Sequence, residues 1–444
     1  MKKRIAHLAT SLWVIAVFGA ILRILFFEDY VRQNSHHALG ILPFLFECGN
    51  IAVSVAQGHG FSSPFRVATG PTAWMTPVYP LFLAGIFRVF GIYAFRSFLA
   101  AALANIAFVT LAIIPLYYAG TKIGGRELGA GAAWLWAIFP NAILMTFETM
   151  WEACLSALFV ASILWATLRL ERSSRKRDWC IYGLLWGVAL MTNPVLASLL
   201  PLLLGWLAYR RWRAARPAAW RTAIGRPALA IAVTILCCVP WTIRNYAVFH
   251  RFVPFSSVLG LQLWLGNNPQ AKPIWRARLH PINDAAERAT YARMGEIAYM
   301  NAKFRLATNY MLSHPGRTAY LAWRRFLAIW SGGTPYPLRD FLRNRSPWFR
   351  FVLLFNLLAG IAAAAGIVLL FKRRSAYAFP LAVFPVVFPW AYYLTLALPR
   401  YRLPIDPVVM LLAAVTVGAM FRPRTRRPVR AGVKETRKGG KGSR

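Results

Sequence analysis

Acidic side chains are scarce in this chain. Its 444 residues hold 14 Asp and Glu against 52 Lys and Arg, a formal net charge of +38. Charged residues of both signs make up only 15%, against about 25% in soluble globular domains. That shortage excludes a soluble enzyme and a charge-rich disordered chain. A basic excess on a soluble domain would point to nucleic acid. Here the basic residues fall between apolar runs, so anionic lipid and the positive-inside tendency account for them, and no nucleic-acid partner is expected. The five cysteines (Cys48, Cys154, Cys180, Cys237, Cys238) form no CxxC pair, and four lie in or beside apolar runs. They provide neither a disulfide scaffold nor a metal motif and read as small apolar packing residues. The pairs Gly124-Gly125 and Gly332-Gly333 lie outside any strand–helix context. A nucleotide-phosphate loop is thereby rejected. There is no internal repeat, the signature expected of many transporters.

What is present is apolar. Hydrophobic residues make up 58%, with 18 Trp and 17 Tyr, and the mean hydropathy is +0.46. Such a chain reads as an all-α polytopic membrane protein with aromatic belts at the two interfaces. Met1-Lys2-Lys3-Arg4 precedes an apolar run over about 8–27 that ends at Glu28-Asp29 with no small-residue cleavage site. It is expected to be an uncleaved signal anchor with a cytoplasmic N-terminus. Four basic clusters, 169–178, 210–226, 372–374 and the tail 421–444, are placed in the cytoplasm by the same rule. Spans are then expected near 96–120, 127–145, 149–169, 180–193, 194–209, 227–247, 351–371, 376–397 and 402–420, about ten in all with the first. The run 77–89 is short for a span and would break the charge parity. It is therefore read as an extracytoplasmic juxtamembrane or re-entrant helix. The expected organisation is an N-terminal membrane module over 1–247 that includes an outer loop at 28–96. An extracytoplasmic region follows at 248–350, with a helix over 284–313. Last come C-terminal spans at 351–420 and a disordered basic tail at 421–444.

With so few acids, each one near an apolar segment is conspicuous. Residues 47–57 suit a short interfacial helix, with Ile51 and Val55 towards lipid and Gly58-His59-Gly60 as its stop. Glu47 then stands at the helix start, where the dipole favours a carboxylate, as a candidate general base. Glu148 and Glu152, four apart at the mouth of a span, are expected to share one helical face as a second acidic site. Arg244, Arg400 and Arg402 gather at outer span ends against the positive-inside tendency, and Arg forks suit phosphate oxygens. Tyr401 lies between the latter two. Arg66, Arg88 and Arg96 are weaker versions of the same idea. His59 is placed to orient Glu47 or to ligate a metal, and the turn at Asn267 to face an acceptor. No HExxH or paired-histidine spacing occurs.

The order of these features resembles a known family. The acid on a short helix is followed by "QGHGFSSPF" and by "GPTAWMTPVYPLFLAGIFRVFG" (70–91). Then come "PWTIRNYAVFHRFVPFSSVLGLQLWLGNNP" (240–269) and "LPRYRLPIDPVVMLLAA" (398–414). Over most of 1–420 the chain looks like the GT-C integral-membrane glycosyltransferases of the family 39 type, the bacterial protein mannosyltransferase and lipid A aminoarabinose transferase superfamily. The resemblance implies a GT-C-like bundle and a polyprenyl-phosphate-linked sugar donor. It further implies inverting transfer of one sugar to an extracytoplasmic glycolipid, glycan or protein, in a bacterial inner membrane. It also implies that Glu47 is the base and that Glu152 matches an acid often found at this span's start. Many members carry an Asp-Glu pair one turn before Glu47, where this chain has Phe44-Leu45. GT-C enzymes include metal-dependent and metal-independent members, so a divalent cation is compatible with the resemblance. The alternatives are a lipid-linked glycan polymerase, ligase or flippase, which would rely on His314, Arg317, Arg324 and Arg325, and a small-solute transporter.

Overall fold

The computed structural model describes residues 9–214, 220–273, 279–334, 336–343 and 346–421. The basic tail from 422 onwards and the first eight residues, on which two of the topological expectations rest, lie outside these. Among the described residues there is no β-sheet, only two isolated bridges beside a tight turn, and the architecture is all helical.

Among the described residues, five helical stretches are long and apolar enough to cross a membrane: Phe95–Gly124, Ala153–Leu170, Ile224–Phe249, Pro347–Lys372 and Pro399–Phe421. The chain is an integral membrane protein. The other expected spans are shorter or broken, for identifiable reasons. The first helix, α1 (Leu12–Gln33), carries Arg23, Glu28 and Asp29 within its length. Arg23 is fully buried and donates to the carbonyls of Gly19 at 2.8 Å and Trp136 at 3.1 Å, so its charge faces the bundle. Residues 127–145 split into α7 (Arg126–Ala137) and α8 (Pro140–Leu144), because Pro140 has no N–H to continue the first helix. The stretch 376–397 splits for the same reason at Pro389 into α19 (Ala378–Val387) and α20 (Trp390–Leu394). Residues 77–89 form α4 (Val78–Phe90), a 13-residue apolar helix as expected.

Between these come α2 (His36–Ile41) and α3 (Glu47–Ala56), with α5 (Phe95–Leu111) and α6 (Ile113–Gly124) making the first long stretch. Then follow α9 (Ala153–Leu170), α10 (Lys176–Leu190), α11 (Leu200–Ala214) and α12 (Trp220–Phe249). The second inter-span region holds α13 (Leu259–Gly266), α14 (Ala285–Met294), α15 (Glu296–Ser313), α16 (Pro315–Ser331) and α17 (Pro337–Arg343). Two spans close the bundle: α18 (Pro347–Lys372) and α21 (Asp406–Phe421). The single helix expected over 284–313 is two helices, since Gly295 sits at φ +75° and interrupts the ladder. A fresh helix begins at Pro315, a first-turn position where the missing N–H costs nothing.

The core runs through α7, α9, α10, α11 and α21, where Trp136, Trp179 and Trp186 are fully buried. Close helix contacts rest on small residues. A Cβ on Gly366 would strike the Leu412 carbonyl, and one on Gly183 the Ala230 carbonyl, so α18 meets α21 and α10 meets α12 backbone to backbone. A smaller cluster joins the two inter-span regions: Ile51, Phe65 and Trp74 pack on Leu261, Tyr291, Tyr299 and Met300. This corrects the expectation that Ile51 faces lipid. Ile51 is fully buried, because α3 lies beneath the second region rather than on a bilayer surface.

Candidate active site

A cavity of about 1060 Å³ opens where the two regions meet the start of α9, α20 and the 395–401 segment that follows it. Glu47, Glu152, Arg400 and Tyr401, all foreseen from the sequence, line it together. Arg66, Arg288 and His280 line it too.

Local structure fixes Glu47. The chain turns by 98° between the helical segment His36–Phe44 and α3. Gly49 permits that bend, because any Cβ there would run into the Phe44 carbonyl. Phe46 is the extended N-cap and Glu47 opens the helix, so the first-turn amides favour its negative charge. Asn50 donates to Pro64 O at 2.9 Å, and the Ser54 and Ser62 hydroxyls are 2.6 Å apart, which holds the returning loop on α3. Glu47 is 6% exposed, with its Oε1 3.2 Å from His280 Nε2.

Glu152 is the N-cap residue of α9. Its Oε2 is buried with no hydrogen-bond partner among the described residues. Burial pushes this carboxyl above the ordinary range, and the nearby Arg400 guanidinium opposes that shift. Arg400 sits in the 3₁₀ turn Pro399–Tyr401, its Cζ 4.0 Å from the Trp151 ring centroid and 5.3 Å from that of Tyr401. Tyr401 stacks on Tyr392 at 4.4 Å. An aromatic bed thus holds one guanidinium near the Glu152 carboxylate, in a cavity that Glu47 also lines.

Several expectations are corrected here. Glu148 does not share a helical face with Glu152: residues 145–152 are irregular, α9 begins at Ala153, and Glu148 is exposed away from the cavity lining. Arg244 does not face the cavity. It donates to Phe61 O and Thr72 O, both at 2.7 Å, and lies over Trp241, clamping the first loop. Arg402 is 1% exposed, paired with Asp406 at 2.7 Å and bonded to Asn356 and the Ile329 and Trp330 carbonyls. Its donors are consumed inside the bundle. His59 is exposed in the turn after α3 and lines no part of the cavity. Asn267 is fully buried and donates to Leu263 O and Leu394 O, so it braces α13 against α20. Arg317 and Arg325 likewise spend donors on the Ala271 and Gly266 carbonyls.

His280 was missed. It lies 233 positions from its partner, in a turn just ahead of α14, with no local spacing to betray it. Among the described residues no three His, Cys, Asp or Glu side chains converge as a metal set; Glu47 and His280 supply two.

Residues 74–243 match the family described as dolichyl-phosphate-mannose-protein mannosyltransferase. A 77-residue stretch is 36% identical to the undecaprenyl phosphate-alpha-4-amino-4-deoxy-L-arabinose arabinosyl transferase of Pseudomonas paraeruginosa, and 35% identical to that of Pseudomonas aeruginosa. It covers 17% of this chain and 13% of either relative. The Archaeoglobus fulgidus oligosaccharyltransferase, solved with an inhibitory peptide and a dolichol-phosphate, superposes over 92% of this chain and 50% of its own. The TM-score is 0.54 and the identity 14%. The same enzyme solved with zinc and sulfate gives 0.52 at 13% identity, over 92% and 49%. This chain therefore spans about half the length of that structure. The fold is that of this oligosaccharyltransferase. Within it, residues 74–243 carry the sequence pattern of the protein mannosyltransferase family.

Proposed function

We propose that the chain is a glycosyltransferase that moves one sugar from a polyprenyl-phosphate donor to an acceptor hydroxyl, with inversion. The observation that carries this reading is the shared cavity of Glu47, Glu152 and Arg400 at the end of an apolar bundle. Glu47 is the base. It takes the acceptor's proton while the acceptor oxygen bonds the anomeric carbon and the C–O bond to phosphate breaks, its electron pair leaving on the phosphate. The leaving group is already a stable anion, so no second carboxyl in the hydrolase arrangement is required. Arg400 receives the departing phosphate, with Arg66 and Arg288 as further cations on the cavity wall. Glu152, with an unbonded oxygen, accepts a hydrogen bond from donor or acceptor sugar. The prenyl chain runs along the apolar spans.

In this reading the cavity is extracytoplasmic, both termini are cytoplasmic, and 248–350 forms an outer domain over a catalytic membrane module at 1–247. The partial cover of the relatives leaves the particular sugar and acceptor to experiment. The purified chain in lipid nanodiscs is offered a panel of radiolabelled polyprenyl-phosphate sugars and, in parallel, nucleotide sugars. The account expects label to move to lipid or glycan acceptor from a polyprenyl-phosphate sugar and from no nucleotide sugar. Transfer from nucleotide sugars alone would contradict it.

A further inference from the structure

The geometry points to His280 as a positioning residue that holds the Glu47 carboxylate with one oxygen turned to the acceptor. This rests on Glu47 being the base. The histidine arrives from the second inter-span region, just ahead of α14. The backbone N–H of Ile282 donates to its Nδ1 at 3.2 Å. A ring nitrogen that accepts a hydrogen bond carries no proton, so in the neutral imidazole the proton is on Nε2. That nitrogen lies 3.2 Å from Glu47 Oε1, within reach for the donation this inference assigns to it. The tautomer is thus set by the main chain, and the donor has one orientation.

The ring is itself caged. It is 7% exposed and meets Trp74 edge-on at 5.6 Å and Phe65 at 6.3 Å. The loop bearing Trp74 is anchored by Glu296, which accepts from Ala73 N at 2.7 Å, from Tyr291 OH at 2.6 Å and from the Thr72 hydroxyl. Arg288 donates to Pro281 O at 3.0 Å and fixes the segment beyond the histidine. Burial lowers the imidazole's proton affinity, opposed by Glu47, which keeps the ring a neutral donor. With Oε1 engaged, Oε2 is the oxygen that takes the acceptor's proton. His280 keeps its own proton throughout and removes the carboxylate's freedom to rotate before the step.

Two readouts test this on the full chain in nanodiscs. The first needs no turnover. Dicyclohexylcarbodiimide modifies protonated carboxyls in apolar surroundings, and peptide mapping reads its rate at Glu47. A carboxyl oxygen held by His280 is less free to attack the reagent, so His280→Ala should label several-fold faster, and His280→Gln, whose amide nitrogen reaches towards the place of Nε2, near the wild-type rate. The second is kinetic, with whichever polyprenyl-phosphate sugar the wild type uses. His280→Ala should lower kcat about 10- to 100-fold with donor KM within about twofold, the scale of a misplaced catalytic group. His280→Gln should recover most of it. Equal labelling of all three proteins, or a Gln variant as slow as Ala, overturns the assignment. Loss of activity in Glu47→Gln with His280→Ala unimpaired removes this inference alone. Full activity in Glu47→Gln removes the base and this inference together.

Discussion

Arg400 and Arg402 lie two residues apart and meet opposite surroundings. Arg402 is sealed against Asp406, Asn356 and two carbonyls, whereas Arg400 lies on Trp151 at the cavity wall. Removing one partner of a buried pair costs about 3–5 kcal/mol. Arg402→Ala should accordingly lower the melting temperature in detergent sharply. Arg400→Ala should melt near wild type and instead raise the donor KM about tenfold or more, the loss of one charge-assisted contact. A thermal melt and a donor titration on both variants separate the roles; equal destabilisation by both would refute the division. Glu47, Glu152, Arg400 and Tyr401 drew notice in the sequence because acids are rare and because an outward arginine needs a reason, and the structure brings the four to one cavity. That same logic misassigned Arg244 and Arg402. Position at a span end says nothing about whether a guanidinium meets a substrate or a carbonyl. His280 was illegible since its contact with Glu47 is purely tertiary.

At the scale of elements, proline and glycine decide where helices break and how closely they meet. The apolar runs revealed the helices, but charge counting saw no break inside 127–145 or 376–397, and periodicity ran across Gly295. Gly366 and Gly418 provide a matched pair. A Cβ on Gly366 would enter the Leu412 carbonyl, while nothing lies within 4 Å of a Cβ on Gly418. Forcing bulk into a packed contact costs about 1–3 kcal/mol. Gly366→Leu should thus show a lower melting temperature and more aggregation on size-exclusion chromatography, with Gly418→Leu near wild type. Similar behaviour of the two would mean that α18 and α21 do not pack as described.

For the whole molecule, the all-helical membrane class follows from composition, the meeting of the two inter-span regions over one cavity emerges only from tertiary packing, and sidedness is the expectation that charge order leaves to test. Leu312 is 81% exposed on α15 and Ser174 is exposed between α9 and α10. A membrane-impermeant maleimide should label Leu312→Cys in intact spheroplasts and Ser174→Cys only after permeabilisation; the reverse order would invert the topology. The central claim, that Glu47 is the base of a transfer from polyprenyl phosphate, is tested most directly by Glu47→Gln. Sugar transfer from the donor pool and donor binding are measured beside wild type at matched expression. The amide keeps the shape and loses the proton acceptor, so transfer should fall about 100-fold or more with donor binding retained. Transfer at the wild-type rate would contradict the account and move the base to Glu152.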